Sequence, residues 1–337
     1  MSHSDNGRHS DNDRHSDNGR HRGDGSRRRR GDRDREELAV PRVKFGSYYG
    51  RPILKPPAWE WKIPAYFFTG GLSAGSALLA AGADLTGRPN LRRAGRLAGF
   101  GALLASMYLL VADLGRPERF HHMLRVAKPT SPMSMGAWLL AAHASLAGAA
   151  AASDVTGVAP GLGVAAGAGS ALTGPLLATY TGVLLADTAV PAWHEAQRQL
   201  PFLFAGSAMA SAGAAGLAAT ALGGRSARAE CGPAARLAVL GAAIETAAAL
   251  DLEHRTGLVS ETYASGGAGQ MMRAARWLTP AGAVAALAAP RSRVAGLAAA
   301  GLLAGGSLAT RFGVFRAGPA SVADPKYVIA GQRGSAS

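Results

Sequence analysis

Tyr66 and Tyr180 lie within long apolar stretches, Glu245 lies inside another, and Asp113 closes a fourth, at the head of the run Asp113-Leu114-Gly115-Arg116-Pro117-Glu118-Arg119-Phe120. A tyrosine hydroxyl donates a hydrogen bond without leaving a permanent charge in an apolar slot. A carboxylate can take up and release a proton. An unpaired charge inside a membrane span costs roughly 3 kcal/mol, so Asp113 and Glu245 are the candidates for proton transfer. For Asp113, pairing with Arg116 or capping the loop competes with that role. His143 is the histidine at mid-span depth; a bis-histidine haem needs a facing partner, so a hydrogen bond between helices is its expected state. Cys231 is the sole cysteine, which excludes an intrachain disulfide and a cluster held by the usual set of thiolates.

Positioning such groups takes helices that cross lipid. Of the 337 residues 48% are hydrophobic, but the distribution is uneven. Residues 1–37 contain no Ala, Val, Ile, Leu, Phe, Trp, Tyr or Cys and carry a six-residue repeat, Ser4-Asp5-Asn6-Gly7-Arg8-His9, that recurs to His21. Such a segment buries no core and is expected to be a disordered polar tail. Residues 38–60 are rich in proline and aromatics and read as an extended arm on the membrane face. From Tyr66 onward, apolar stretches of roughly 18 to 25 residues recur, long enough to cross a hydrocarbon core of about 30 Å. They predict eight spans near 61–83, 94–112, 134–152, 162–187, 200–221, 234–252, 275–289 and 294–311, the sixth and seventh being the weakest. The expected fold is an all-α integral membrane bundle of about eight helices, with a transmembrane domain over 61–315 and a C-terminal tail over 316–337. Gly71/Gly75 and Gly95/Gly99 have the spacing that lets helices approach closely in lipid.

The formal charge of +14 does not point to nucleic acid, because beyond the tail the basic residues fall in short blocks between apolar segments. That is the pattern of membrane loops. With eight spans, more Lys and Arg lie on the side of both termini, Arg311 among them, which predicts a multi-pass protein of the cytoplasmic membrane with cytoplasmic termini. Trp138 and Trp193 fall at interfacial depths, where tryptophan commonly anchors a helix.

The loop Asp113–Phe120, its continuation Lys128-Pro129-Thr130-Ser131-Pro132-Met133-Ser134-Met135-Gly136-Ala137-Trp138, the arm Tyr48–Pro52, the helix Trp59–Leu79 and the segment Thr179-Tyr180-Thr181-Gly182-Val183-Leu184-Leu185 together resemble the NrfD/polysulfide-reductase family of membrane anchors. The resemblance covers about residues 45–200. It implies a haem-free subunit that anchors a ferredoxin-like iron–sulfur subunit, which in turn serves a molybdopterin catalytic subunit, and that exchanges electrons with menaquinone or ubiquinone. It also implies a quinone site lined by Tyr66, Tyr180 and Trp138, and partner docking through Arg116, Arg119, Tyr49 and Arg51. In the polysulfide-reductase branch an asparagine and a histidine stand where this chain has Ile63 and Tyr66.

Depth supports one site independently of the resemblance. At about 1.5 Å per residue, Tyr66 and Tyr180 lie roughly 8 and 10 Å below the same face, the face that also receives Asp113, Arg116 and Trp138. A quinone is apolar apart from two carbonyls, so its site needs an apolar slot with a few hydroxyl donors and a route for protons. The competing functions are a proton-translocating channel or carrier using Glu245 and Asp113, and a structural anchor without an active quinone site.

Overall fold

The computed structural model describes residues 54, 55 and 57–334, with side chains as far as Ile329. The tail over 1–37, most of the arm over 38–60, and with it Tyr49 and Arg51, lie outside the described residues. Eight long helices follow one another: α1 (Lys62–Leu85), α2 (Pro89–Ala112), α3 (Pro132–Thr156), α4 (Pro160–Ala186), α5 (Leu200–Leu222), α6 (Cys231–Arg255), α7 (Gly266–Ala288) and α8 (Arg293–Ala323); a shorter α9 (Pro325–Gly334) ends the described chain. Among the described residues there is no strand. Six of the eight, α1–α5 and α8, are long and apolar enough to cross a membrane. The chain is an all-α, multi-pass membrane protein. The helices that fall short are the sixth and seventh, which carry Arg236, Glu245, Asp251, Glu253 and Arg255, and Arg273 and Arg276.

Local sequence sets the helix starts. Proline opens α2, α3 and α4 at the first helical turn, where its missing N–H costs nothing. Ser131 and Ser292 cap α3 and α8 by accepting from the amides of Ser134 and Ala295. Gly157, at φ 70°, ends α3 in the left-handed conformation that glycine adopts without a Cβ penalty.

Small residues then draw the helices together. A Cβ at Gly95 or Gly99 would press on Ser76 and Ala80 of α1, and one at Gly75 would collide with Ala208 of α5. Another close seam joins α5 and α6, where Gly206 and Gly241 face each other's helix backbones. Burial is correspondingly uneven: 72% of the most apolar stretch of α1 and 67% of that of α5 is packed inside, against 28% for α3. So α1 and α5 form the core, and α3 is exposed over much of its length.

The helix ends gather on two faces. On one, Trp193, in the α4–α5 connection, stacks on Trp59 with ring centres 5.8 Å apart, the Tyr263 hydroxyl donates to the Ala192 carbonyl at 2.7 Å, and the Ser321 hydroxyl accepts from the Ala192 amide. On the other, Arg92 and Arg96 of α2 each bridge Asp84 and Asp154 at 3.1–3.3 Å, and Glu230 accepts from the Leu91 amide and the Asn90 side chain at 2.7 Å.

Two boundaries differ most from the sequence reading. The seventh helix begins at Gly266 rather than near 275, and the eighth runs to Ala323 rather than ending at 311. Arg311 and Arg316 interrupt the hydropathy there, but Ala317, Gly318, Ser321 and Val322 are buried and hold the extra turns against the α4–α5 connection. The 316–337 segment is therefore not a solvated tail over its described part: Tyr327 and Val328 are buried too.

Candidate functional site

The start of α1, the end of α2, the start of α3 and the end of α4 enclose a cavity of about 240 Å3 on the first of these faces. Its walls are mostly apolar, from Trp59, Ile63, Phe67, Leu110, Met133 and Leu184, and its polar groups are Tyr66, Tyr180 and Asp113. Three of the five residues expected to bind a ligand or move protons thus converge on one space. Its volume lies just below the range of about 300–1,000 Å3 usual for small-molecule sites, which suits one planar ring with its substituents.

Tyr66 is 4% exposed, its ring tilted against Phe67 at 5.5 Å. Tyr180 leans directly on the backbone of Gly136: a Cβ at that position would fall onto the phenol ring and its hydroxyl. Gly136 is therefore what admits Tyr180 between α3 and α4. Neither phenol hydroxyl has a hydrogen-bond partner among the described residues, so both are available to a ligand. Such an arrangement can bind a flat, apolar molecule with hydrogen-bond acceptors.

Asp113 caps α2 at the rim of the cavity. Its pKa is raised from the ordinary carboxylate value, because partial burial outweighs the attraction of Lys62 and of the nearby Glu60 backbone. Lys62 is itself bonded to Glu60 at 2.9 Å. Arg116 does not pair with Asp113: Arg116 and Arg119 are exposed, Arg119 on a short 3-10 turn over Pro117–Leu124. Ser134 ties this loop to α3, donating to the Val126 carbonyl at 2.9 Å and accepting from the Lys128 amide at 3.0 Å.

Two expected site residues are elsewhere. Trp138 is 43% exposed on the outer side of α3, while Met133, Gly136 and Ala137 face the cavity. Glu245 is 2% exposed between other helices and accepts from Thr310 at 2.6 Å. The indole in the wall is Trp59, held by Trp193. Trp193 is no interfacial anchor: it is fully buried, donates to the Val314 carbonyl at 2.8 Å and sits against Phe315 and Gly318. His143 bonds Ser73 at 3.2 Å and Thr173 at 2.9 Å, linking three helices as expected.

Arg311 is not the loop residue that the sequence reading made it. Its place in the sequence makes it a loop charge, yet it is 1% exposed inside α8, with its guanidinium 3.8 Å over the Phe204 ring. It donates to the Phe204 carbonyl at 2.7 Å and to the Thr181 hydroxyl at 3.4 Å. The apolar run Phe312-Gly313-Val314-Phe315 beyond it was the available signal that the helix continues.

Residues 54–151 match the family model described as polysulphide reductase, NrfD. A selenate reductase subunit of Mesobacillus selenatarsenatis is 39% identical over 80 residues, covering 23% of this chain and 19% of that protein. Tyr66, Asp113, Arg116, Arg119 and Trp138 fall inside the segment that matches the family model, and Tyr180 and Glu245 fall beyond it. From α1 through the 113–131 loop into α3, this segment is thus similar to the NrfD family, while the chain spans about a fifth of the length of the selenate reductase subunit it matches.

Proposed function

We propose that this chain is the quinone-interacting membrane subunit of a multi-subunit oxidoreductase, passing electrons between a ferredoxin-like iron–sulfur subunit and menaquinone or ubiquinone. The observation that carries the reading is the cavity in which two unpartnered phenol hydroxyls and a half-buried carboxylate meet apolar walls. A bound quinone supplies reversible two-electron, two-proton chemistry. The residues fit it: Tyr66 and Tyr180 offer a donor to carbonyl oxygens, Trp59, Ile63, Phe67 and Leu184 exclude water from a ring, and Asp113 exchanges protons between the cavity and the aqueous face.

In this reading the exposed Arg116 and Arg119, together with Tyr49 and Arg51 of the arm, dock the iron–sulfur partner, and a molybdopterin subunit beyond it handles the bond-breaking substrate. The protein resides in the cytoplasmic membrane. Its termini lie in the cytoplasm, since removing the buried Arg311 from one side of the charge comparison and the buried Arg96 from the other leaves the excess on the terminal side.

The test is to purify the chain from native membranes with whatever accompanies it and to assay quinone and iron. Bound quinone together with an iron–sulfur polypeptide is expected. An iron-free, quinone-free preparation that retains its helical content would overturn the proposal. Reporter fusions at each terminus check the orientation.

A further inference from the structure

The polar groups that the cavity leaves unused concentrate between α5, α6, α7 and α8. Glu245 lies about 21 Å along α6 from its first residue and about 15 Å from its last. One carboxylate oxygen accepts from Thr310; the other has no partner among the described residues, nor do the nearby hydroxyls of Ser207 and Thr279. Arg311 supplies a neighbouring positive charge, yet its guanidinium bonds the Phe204 carbonyl and the Thr181 hydroxyl rather than pairing with Glu245. The carboxylate is therefore neither neutralised by an ion pair nor fully hydrogen-bonded.

Against it lies a second cavity, of about 30 Å3, lined by Glu245, Thr279 and Thr310 and continuing to Glu253 and Arg276. A cavity holds a water once it offers about 10–15 Å3 and two to four polar partners; the unpaired oxygen of Glu245, Thr279 and Thr310 provide them. Glu253 and Arg276 pair with each other at the mouth, where both are half-exposed. Glu253 is about 12 Å further along α6. The route thus runs from the face that also carries Asp113 to a carboxylate deep in the bundle.

We propose that Glu245 is a proton-exchange site, loaded through water held in the cleft between α6 and α7 and distinct from the cavity at Tyr66 and Tyr180. The carboxylate takes one proton from a cleft water while that water is reprotonated from the aqueous face through the cleft, and the proton returns by the same path. The charged groups that bear on it are Arg311 from α8, Arg276 from α7 and Glu253 from its own helix; α5 contributes no ionisable side chain. Arg311 also bonds Thr181, the neighbour of Tyr180, and stacks on Phe204, whose ring lies 6.0 Å from Phe67 in the cavity wall. The charge at Glu245 is in this way placed to be felt at the cavity, although the proposal does not depend on what the cavity binds.

The experiment treats the full chain, in liposomes with its copurifying partners, with a hydrophobic carbodiimide, which attacks protonated carboxyls within lipid. Modified peptides are quantified by mass spectrometry over a pH series. Modification of Glu245 is expected to fall about tenfold per pH unit above its titration, and to vanish in Glu245→Gln. As a second readout on protein that keeps its carboxylate, the infrared stretch of the protonated carboxyl should shift in D2O, and the shift should be slower in Thr279→Val. Absent or pH-independent modification of Glu245, or a carboxyl stretch that does not respond to D2O, would overturn the proposal.

Discussion

Gly136→Ala isolates the contact that places Tyr180. A methyl group at residue 136 would fall within the phenol ring. Carbon atoms settle about 3.5–4.0 Å apart, so the ring must retreat by roughly 2 Å. Overpacking of this kind costs about 1–3 kcal/mol where nothing can move. Here the ring borders an open cavity and can swing into it, so thermal stability should fall towards the low end of that range. Function should suffer more, because the retreat narrows the slot and displaces the hydroxyl, and a displacement of about 1 Å can lower turnover about 100-fold.

The assay is quinone reduction or oxidation by the purified complex, alongside thermal unfolding in detergent. A double-mutant cycle with Tyr180→Ala sharpens it: with the ring gone the added methyl meets open space, so the two substitutions should couple by about 0.5–3 kcal/mol. Wild-type kinetics in Gly136→Ala, or strict additivity with Tyr180→Ala, would refute the argument that Gly136 acts through Tyr180.

Tyr180→Phe removes one donor and no packing, so quinone affinity should weaken by about 0.5–1.5 kcal/mol, with the melting temperature unchanged; unaltered quinone kinetics would remove Tyr180 from the site. Arg311→Met should destabilise the bundle by about 1–3 kcal/mol, because the Phe204 carbonyl and the Thr181 hydroxyl lose a buried donor; thermal unfolding measures this, and Arg316→Met, at an exposed position of the same helix, should be near neutral. Glu261, in the connection before α7, is held below the usual carboxylate pKa by the hydrogen bond and then the charge of Lys326. Its contribution to stability is present above the unfolded value of about 4.3 and is lost as pH falls through the depressed folded value. Glu261→Gln should therefore lower the melting temperature slightly at neutral pH, with the difference closing in acid. Asp113 has the opposite sign: its raised pKa means the folded state binds the proton more tightly, so Asp113→Asn should raise the melting temperature slightly at neutral pH. That gain should vanish once pH drops below both pKa values.

The helices were legible because a span must be long and apolar whatever surrounds it. Convergence of Tyr66, Tyr180 and Asp113 followed from depth alone, since alternating spans return to the same face. Rotation about a helix axis was not legible. The third helix is apolar on every side, so nothing in Met133–Leu140 says which face turns inward, and Trp138 faces outward while Gly136 faces the cavity. Charge misled in a related way: Arg311 reads as the end of a span, but a carbonyl, a hydroxyl and an aromatic face satisfy it inside the bundle, and such tertiary partners leave no mark in local composition. The interfacial reading of Trp193 failed for the same reason, its stacking on Trp59 joining segments far apart in the chain.

The hold of Trp193 on Trp59 reaches beyond packing. Trp59 closes the cavity from the first part of the chain, and Trp193 is fastened by Val314, Phe315 and Gly318 of the last long helix. A fragment of the first four helices, though it carries every residue that faces the cavity, would therefore lack the brace for its lid. Grafting or expressing that fragment alone should yield an unlatched pocket, and modular exchange of this site between proteins has to carry the eighth helix with it.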